Sequence, residues 1–142
     1  MHLQTSLHIN APIERVWELT LDVESWPRLT PTVTKVEHLD TGPLAVGSRT
    51  RVKQPAQRAK VWTVTELEAG RRFAWTTSAF GGSMTGAHDL TPDGSGTANT
   101  LTIDLDGPFA GLVGMLFGRT IRRAIETENK GFKTAAEARP GC

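Results

Sequence analysis

A long amphipathic stretch from Gly107 to Ala138 constrains the fold more than any other feature of this chain. Its apolar residues recur at intervals of three and four, which predicts a helix with one broad apolar stripe. The stripe comprises Phe109, Leu112, Val113, Leu116, Phe117, Thr120, Ile121, Ala124, Ile125, Glu128, Phe132 and Ala135. The opposite, water-facing side comprises Arg119, Arg122, Arg123, Glu126, Asn129, Lys130 and Lys133. Such a helix would run on the order of 45 Å, so its apolar stripe needs an extended surface such as a sheet.

Glycine is concentrated in the first third of this helix. The glycines are Gly107, Gly111, Gly114 and Gly118. Each interior glycine costs roughly 1 kcal/mol relative to alanine, so we expect this end of the helix to be loosely formed. Two explanations stay open, because glycine alone does not distinguish them. A neighbouring segment approaches closely here, or this end is a pliable gate over a cavity.

The chain before the long helix predicts strands and little other helix. Alternation over residues 2–9 predicts the first strand, and Asn10 and Pro12 mark the start of a short helix. A second short helix or turn is predicted between Leu21 and Leu29. Six more strands are predicted at 33–39, 47–53, 59–67, 72–79, 83–90 and 97–105. Their short, regular spacing is typical of an antiparallel meander, which gives an α+β fold with a curved seven-stranded sheet.

Length and charge limit the classes of protein that this chain can belong to. The 142 residues predict a single domain over 1–138 and a disordered tail at 139–142. Lysine and arginine total 16 against 15 acidic residues, so we expect no nucleic-acid partner. The longest apolar run, Pro108 to Phe117, is about half of what a membrane crossing needs. The N-terminus lacks a secretion signal, which predicts a soluble, cytoplasmic protein that does not span a membrane.

No cofactor-binding motif is visible, so we expect neither a metal nor an organic cofactor. The four histidines have no thiol or carboxylate spacing that makes a tetrahedral metal site. Gly81-Gly82 is not followed by the lysine of a phosphate-binding loop, and no Gly-x-Ser-x-Gly elbow occurs. The lone Cys142 lies at the end of the chain, so no internal disulfide and no thiol nucleophile are expected.

Strand alternation assigns a set of residues to the face of the sheet that meets the long helix. The set is Trp62, Val64, Glu66, Phe73, Trp75, Thr77, Met84, Gly86, His88, Leu90, Asn99, Leu101, Ile103 and Leu105. Large rings are mixed with glycine, threonine and ionisable groups, which is typical of a ligand cavity rather than a filled core. The alternative is a packed core whose polar members bond to backbone or water. For Glu66, near a strand end, simple exposure is the competing expectation.

The order strand, two short helices, six strands and one long helix resembles the helix-grip fold. Ile9 to Trp17, Trp26-Pro27, Gly47 to Arg49 and Gly94 to Thr97 resemble the polyketide cyclase/dehydrase branch of the START-like (SRPBCC) superfamily. The resemblance covers almost the whole chain and implies a hydrophobic cavity between the sheet and the long helix. Its members include aromatase/cyclases of polyketide synthesis and binders of lipids and hormones. The matching positions are turns, caps and core anchors, and the chain lacks tyrosine, so no phenolic acid is available.

Three functions follow as hypotheses, with a homodimer left open as the oligomeric state. The first is binding of a hydrophobic small molecule, lipid-like or aromatic and polyketide-like. The expected lining is Trp26, Trp62, Val64, Trp75, Thr77, Met84, His88, Leu101, Ile103, Phe109, Val113 and Phe117. The second is an enzyme of the cyclase or dehydratase type, a lyase or isomerase that uses neither a metal nor a nucleotide cofactor. In this enzyme His88 would be the general acid or base, and Glu66 would assist if it points inward. The third is an interaction module that uses the glycine-rich end of the helix.

Overall fold

The computed structural model describes residues 1–138, and the predicted tail at 139–142 lies outside them. Its strands are β1 (His2–Ile9), β2 (Lys35–His38), β3 (Arg49–Lys53), β4 (Lys60–Glu68), β5 (Arg72–Ala79), β6 (Gly82–Asp93) and β7 (Gly96–Asp106). Its helices are α1 (Ile13–Leu21), α2 (Trp26–Leu29) and α3 (Ala110–Glu137), with a 3₁₀ turn at Val23–Ser25. The predicted order of elements is confirmed, with boundaries that move by a few residues.

The strands form one antiparallel sheet in the order β1-β7-β6-β5-β4-β3-β2. Strands β2 to β7 follow one another as a meander, and β1 pairs with β7 to form the edge of the sheet opposite β2. The long helix α3 packs across β1 and β7, while α1 and α2 contact its C-terminal half. This arrangement is the helix-grip fold, as the sequence predicted.

The two halves of α3 are buried to different extents. Ile125, Phe132 and Ala136 are buried in the second half, whereas the first third buries only Val113. In the first third, apolar side chains of the predicted stripe are exposed: Phe109, Leu112, Leu116 and Phe117. A Cβ added at Gly111 or Gly118 would meet no atom within 4 Å, so close approach does not explain these two glycines. The expectation of a continuous buried stripe is wrong at this end, because the stripe extends beyond the surface on which it packs.

A buried amide pair fixes the middle of α3 to β7. The side-chain amide of Asn129 donates to the main-chain carbonyl of Asn99 at 2.9 Å, and the Asn99 amide donates to Asn129 Oδ1 at 2.9 Å. The sequence placed Asn129 on the water-facing side, and that expectation is wrong. The two hydrogen bonds satisfy both amide nitrogens and Asn129 Oδ1, which offsets most of the cost of burial, while Asn99 Oδ1 has no partner among residues 1–138.

A β-bulge in β4 reverses the expected alternation. Val64 pairs with Trp75, but the register then shifts, so that Glu66 pairs with Ala74 and Leu67 pairs with Phe73. The extra residue turns Leu67 toward the core and Glu66 toward solvent, since one additional residue exchanges the two faces of a strand. The assignment of Glu66 to the inner face is therefore wrong, and its exposure, the competing expectation, is what the structure has.

The buried apolar residues form two separate clusters. The larger one lies around α1, α2 and the second half of α3, and it contains Trp26, Phe73 and Phe132. The smaller one, Ala79, Leu105 and Val113, lies beneath the start of α3. Met84 packs against both clusters. The interior is therefore packed at its two ends. Between them, the middle of the sheet and the middle of α3 can face an open space.

Candidate functional site

A cavity of about 320 Å³ lies between the sheet and α3. This volume is within the range of sites that hold small organic molecules. The sheet side of the lining is Val52, Lys60, Trp62, Trp75, Met84, Gly86, Ala87, His88, Leu101, Thr102 and Ile103. The helix side is Phe117, Thr120, Ile121, Ala124, Ile125 and Glu128. Trp26, Val33, Gln54, Gln57 and Phe80, from α2 and the loops, complete it, so the wall is mostly apolar with a few polar groups.

Small residues on the facing surfaces keep this space open. In the sheet, Gly86 lies between Trp75 and Ile103 in register, and it contributes no side chain to the interior. On the helix, Ala124 presents only a methyl group to the cavity. Because the large rings of β4 and β5 stand beside these small residues, the interior has apolar walls without side chains to fill the middle. The packed-core alternative does not hold for this part of the molecule.

Two phenylalanines mark the mouth of the cavity. Phe80 and Phe117 are each about half exposed, and their rings stack with centroids 6.5 Å apart and planes at 20°. Phe80 and Gly81 form the tight turn between β5 and β6, with φ values of 51° and 75°. Positive φ is unfavourable for a residue with a bulky side chain. Lys60 places its ammonium group 5.6 Å from the centre of the Phe80 ring, which adds one cation to the mouth.

At the buried end of the cavity, an imidazole and a carboxyl group lie side by side. His88 Nε2 is 3.6 Å from Glu128 Oε1, and the two side chains are only 5% and 15% exposed. Strand β6 supplies His88 and the middle of α3 supplies Glu128. No hydrogen-bond partner meets His88 Nδ1 among the residues that the structure describes. They are the ionisable side chains at this end of the cavity lining, which also includes Lys60.

Burial suppresses the charge of both groups. It lowers the pKa of His88 to about 3 and raises the pKa of Glu128 to about 7. At neutral pH the imidazole is therefore uncharged, and the carboxyl group is divided between its protonated and ionised forms. Desolvation opposes the charged form of each group, and this is the cause of both shifts in pKa. A carboxyl group with a pKa near neutrality can both give and take a proton, which is what general acid–base chemistry requires.

Most of the residues expected to line the cavity do so. They are Trp26, Trp62, Trp75, Met84, His88, Leu101, Ile103 and Phe117. The others lie elsewhere. Val64 is buried in the larger core cluster, Val113 in the smaller one, and Phe109 is exposed beside Gly81. Thr77 is on the expected face, but its hydroxyl donates to the main-chain carbonyl of Val61 at 2.8 Å.

Glu66, expected to assist catalysis if it pointed inward, lies on the other face of the sheet. Its Oε2 accepts a hydrogen bond from Arg72 Nε at 2.9 Å, and the bulge in β4 is the reason. The carboxyl group of the cavity is instead Glu128, which was not expected there. A sequence signal for it existed, because Glu128 is the one ionisable residue on the apolar stripe of α3. Gln54, Gln57 and Lys60 were also missed, since they lie in or beside a loop.

The other three histidines lie away from the cavity. His2 Nδ1 is 2.5 Å from Asp104 and His8 Nδ1 is 2.8 Å from Asp93, both on the exposed face of the sheet, while His38 contacts Thr50. Within residues 1–138, no three histidine, cysteine, aspartate or glutamate side chains are grouped as a metal-binding set. None of the helices in that range combines the length and the apolar character needed to cross a membrane.

Comparison with known sequences agrees with this geometry. The sequence profile of the family described as polyketide cyclase/dehydrase and lipid transport matches residues 1–137. A Streptomyces halstedii protein that carries the provisional name polyketide cyclase is 35% identical over 74 residues. That match covers 49% of this chain and 64% of the relative, so it spans less than two thirds of the relative's length.

Solved structures share the fold. A hypothetical protein from Helicobacter pylori matches with a TM-score of 0.84 at 11% identity, over 96% of this chain and 88% of its own. A protein from Thermus thermophilus matches with a TM-score of 0.76 at 23% identity, over 96% and 97%. The di-domain ARO/CYC protein StfQ of the steffimycin biosynthetic pathway matches with a TM-score of 0.75 at 14% identity, over 99% of this chain and 52% of StfQ. At these identities the likeness is one of fold.

Proposed function

Because the chain belongs to the family of polyketide cyclases, dehydrases and lipid-transport proteins, we propose that its cavity binds an apolar small molecule, aromatic and polyketide-like or lipid-like. The observation that carries the proposal is the space of about 320 Å³ between the sheet and α3. Its walls are apolar, so a ligand with a large hydrocarbon surface gains free energy by leaving water. Its polar groups are few: Gln54, Gln57 and Lys60 in or beside a loop, the His88–Glu128 pair, and Thr102 and Thr120.

The aromatic walls favour a ligand with rings. Trp62 and Trp75 lie with centroids 5.4 Å apart and planes at 34°, and both border the cavity. Trp26 packs edge-on to Trp75 at 5.3 Å, which holds the second indole in place. Fixed indole faces can stack on an aromatic ligand, a contact worth about 0.5–1.5 kcal/mol beyond the burial of area.

Tryptophan emission provides the test, because three indoles border the cavity. We expect naphthalene-based and long-chain fatty acid probes to quench or shift the emission in a saturable way. The variant Ala124→Phe places a ring inside the cavity and should weaken binding at least tenfold, whereas Thr127→Phe adds the same ring on the exposed side of α3 and should not. An emission spectrum that no probe changes would argue for the interaction-module hypothesis, in which the exposed start of α3 binds a protein or a membrane-bound lipid.

The His88–Glu128 pair favours a second candidate, an acid–base enzyme of the cyclase or dehydratase type. In such a reaction the ionised Glu128 would take a proton from a carbon flanked by two carbonyl groups, and the cavity would hold the chain in the reactive conformation. The neutral imidazole of His88 would hydrogen-bond to the substrate oxygen. Glu128 thus takes the general-base role that the sequence analysis gave to His88, and His88 takes the assisting role given there to Glu66.

Replacement of the imidazole separates the two candidates. If the protein is a catalyst, His88→Ala should abolish turnover of a poly-β-carbonyl substrate analogue. If it only binds, the same change should alter the binding free energy of that analogue by about 1–2 kcal/mol, the size of one lost hydrogen bond. Thr120→Val is a control on the same cavity wall, because it removes a polar group that belongs to neither member of the pair.

A further inference from the structure

The buried end of the cavity presents two polar atoms that the protein leaves without a direct bond to each other. His88 Nε2 and Glu128 Oε1 are 3.6 Å apart, which is longer than a hydrogen bond. Among residues 1–138, the ion-pair-distance contact of the Glu128 carboxyl group is this one with His88, and His88 Nδ1 has no hydrogen-bond partner. Both side chains border the cavity, so a ligand atom can reach them. Polar atoms in an apolar interior are costly unless a partner satisfies them.

The donors and acceptors of this pair define the partner. An uncharged imidazole carries one N–H donor and one acceptor nitrogen, and a protonated carboxyl group also carries one donor and one acceptor. His88 Nδ1 is sealed among the rings of Trp26, Phe73 and Phe132, so only Nε2 is available to a ligand. When Nε2 carries the proton and the carboxyl group presents an unprotonated oxygen, or when Nε2 is unprotonated and the carboxyl group presents its O–H, one donor faces one lone pair across the gap. A hydroxyl group, which donates and accepts at once, satisfies both atoms.

Other oxygen-containing groups satisfy the pair less well. A carbonyl or an ether oxygen accepts hydrogen bonds but donates none, so it satisfies both atoms only when Nε2 and the carboxyl group each present a proton. A carboxylate would bring a negative charge beside Glu128 in an apolar site, which desolvation and like-charge repulsion both oppose. The one cation of the lining, Lys60, is at the mouth beside Phe80 and cannot neutralise a charge at the buried end.

We propose that the ligand of this cavity carries a phenolic or enolic hydroxyl group at the end that enters first, and that Glu128 and His88 together bind this hydroxyl. The inference rests on the proposed function, since it names the chemical class of the ligand that the same cavity takes. The rest of the ligand is a ring system that contacts Trp62 and Trp75. Glu128 is then a specificity-determining residue, and His88 is its partner.

Three probes with one ring system test this inference by titration calorimetry at neutral pH: naphthalene, 2-methoxynaphthalene and 2-naphthol. For the unaltered protein we expect 2-naphthol to bind about tenfold more tightly than 2-methoxynaphthalene, which corresponds to ~1.4 kcal/mol. Glu128→Leu and His88→Phe should each remove this preference while naphthalene binds as before. Glu128→Gln keeps a donor and an acceptor and should retain it, and so should the control Thr127→Val on the exposed side of α3.

The outcomes separate the inference from the proposed function. Equal affinities for 2-naphthol and 2-methoxynaphthalene, or a preference that survives in Glu128→Leu, would overturn the hydroxyl subsite and leave the cavity as an apolar binding site. Absence of binding by all three probes would overturn the proposed function and the subsite with it. A thermal unfolding curve for each variant shows that it is folded, and the retained affinity for naphthalene gives a second check that its cavity is intact.

Discussion

The ring of Trp26 lies 5.1 Å from the imidazole of His88, centroid to centroid and tilted by 38°. Phe73 and Phe132 contact the same imidazole edge-on, at 5.7 and 5.5 Å. Three aromatic rings thus exclude water from all but the cavity side of His88. This enclosure explains why its pKa falls to about 3, since burial disfavours the charged imidazole and no group of residues 1–138 hydrogen-bonds to Nδ1. At neutral pH His88 is therefore an uncharged hydrogen-bonding group, and Glu128 beside it is divided between its protonated and ionised forms.

The carboxyl group of Glu128 should make the stability of the protein depend on pH. Burial raises its pKa from 4.5 to about 7, so between these values the folded state holds a proton that the unfolded chain releases. The stabilisation from this proton is complete below about pH 4.5 and is lost as the pH rises to about 7. Glu128→Gln does not titrate, so its free energy of unfolding relative to the unaltered protein should rise by about 2 kcal/mol between pH 5 and pH 8.

Urea unfolding at several pH values measures this difference. His88 acts in the opposite direction, because its lowered pKa removes stability as the pH falls from 6.5 to about 3. It is present in both proteins, so its contribution cancels to first order in the comparison. Thr127→Val, on the exposed side of α3, removes no ionisable group and is the control, so its difference in the free energy of unfolding should be constant with pH. A constant difference for Glu128→Gln across this range would contradict a buried, proton-binding carboxyl group.

The bulge in β4 predicts opposite effects for two adjacent residues. Glu66→Ala removes an exposed ion pair with Arg72 and should cost less than about 1 kcal/mol, with no change in ligand affinity. Leu67→Ala removes a side chain packed against the larger core cluster and should cost about 2 kcal/mol. Chemical denaturation of the two variants gives both values. If Glu66→Ala were the more damaging change, the register of β4 and β5 would be wrong.

Two glycines of α3 should respond oppositely to alanine. A Cβ at Gly131 would lie 2.2 Å from the main-chain oxygen of Leu29, so Gly131→Ala forces α2 and α3 apart and should destabilise the protein by about 1–3 kcal/mol. At Gly118 a Cβ meets nothing within 4 Å, so Gly118→Ala should stabilise the helix by roughly 0.5–1 kcal/mol. Thermal unfolding distinguishes the two. Destabilisation by Gly118→Ala would contradict the open space beside Gly118, because it would mean that another element packs there.

The parts of the fold that local chemistry determines were predictable from the sequence. Strand β5 has its predicted bounds, 72–79, because glycine-containing turns end its alternation on both sides. The aromatic wall was predictable for the same reason, since Trp75 alternates regularly within β5. The inward position of Trp62 follows from the same alternation in the part of β4 that precedes the bulge.

The sequence-based predictions failed where contacts between distant parts of the chain determine the structure. The bulge between Val64 and Glu66 depends on how β4 pairs with β5. The alternation of apolar and polar residues in β4 alone does not indicate it. The helical period identifies the apolar stripe of α3 but not where the surface beneath it ends, so Leu112 and Leu116 were expected to be buried. Glu128 and Asn129 were missed because their polar groups act in the interior, one bordering the cavity and the other bound to Asn99. A local pattern cannot identify such partners.

A crystal structure of the complex with 2-naphthol tests the central claim most directly. The account predicts the naphthalene ring between the sheet and α3, against Trp62 and Trp75, with its hydroxyl oxygen within hydrogen-bond distance of Glu128 and His88. A ring seated instead on the exposed start of α3, with the interior closed around Trp75 and His88, would contradict it.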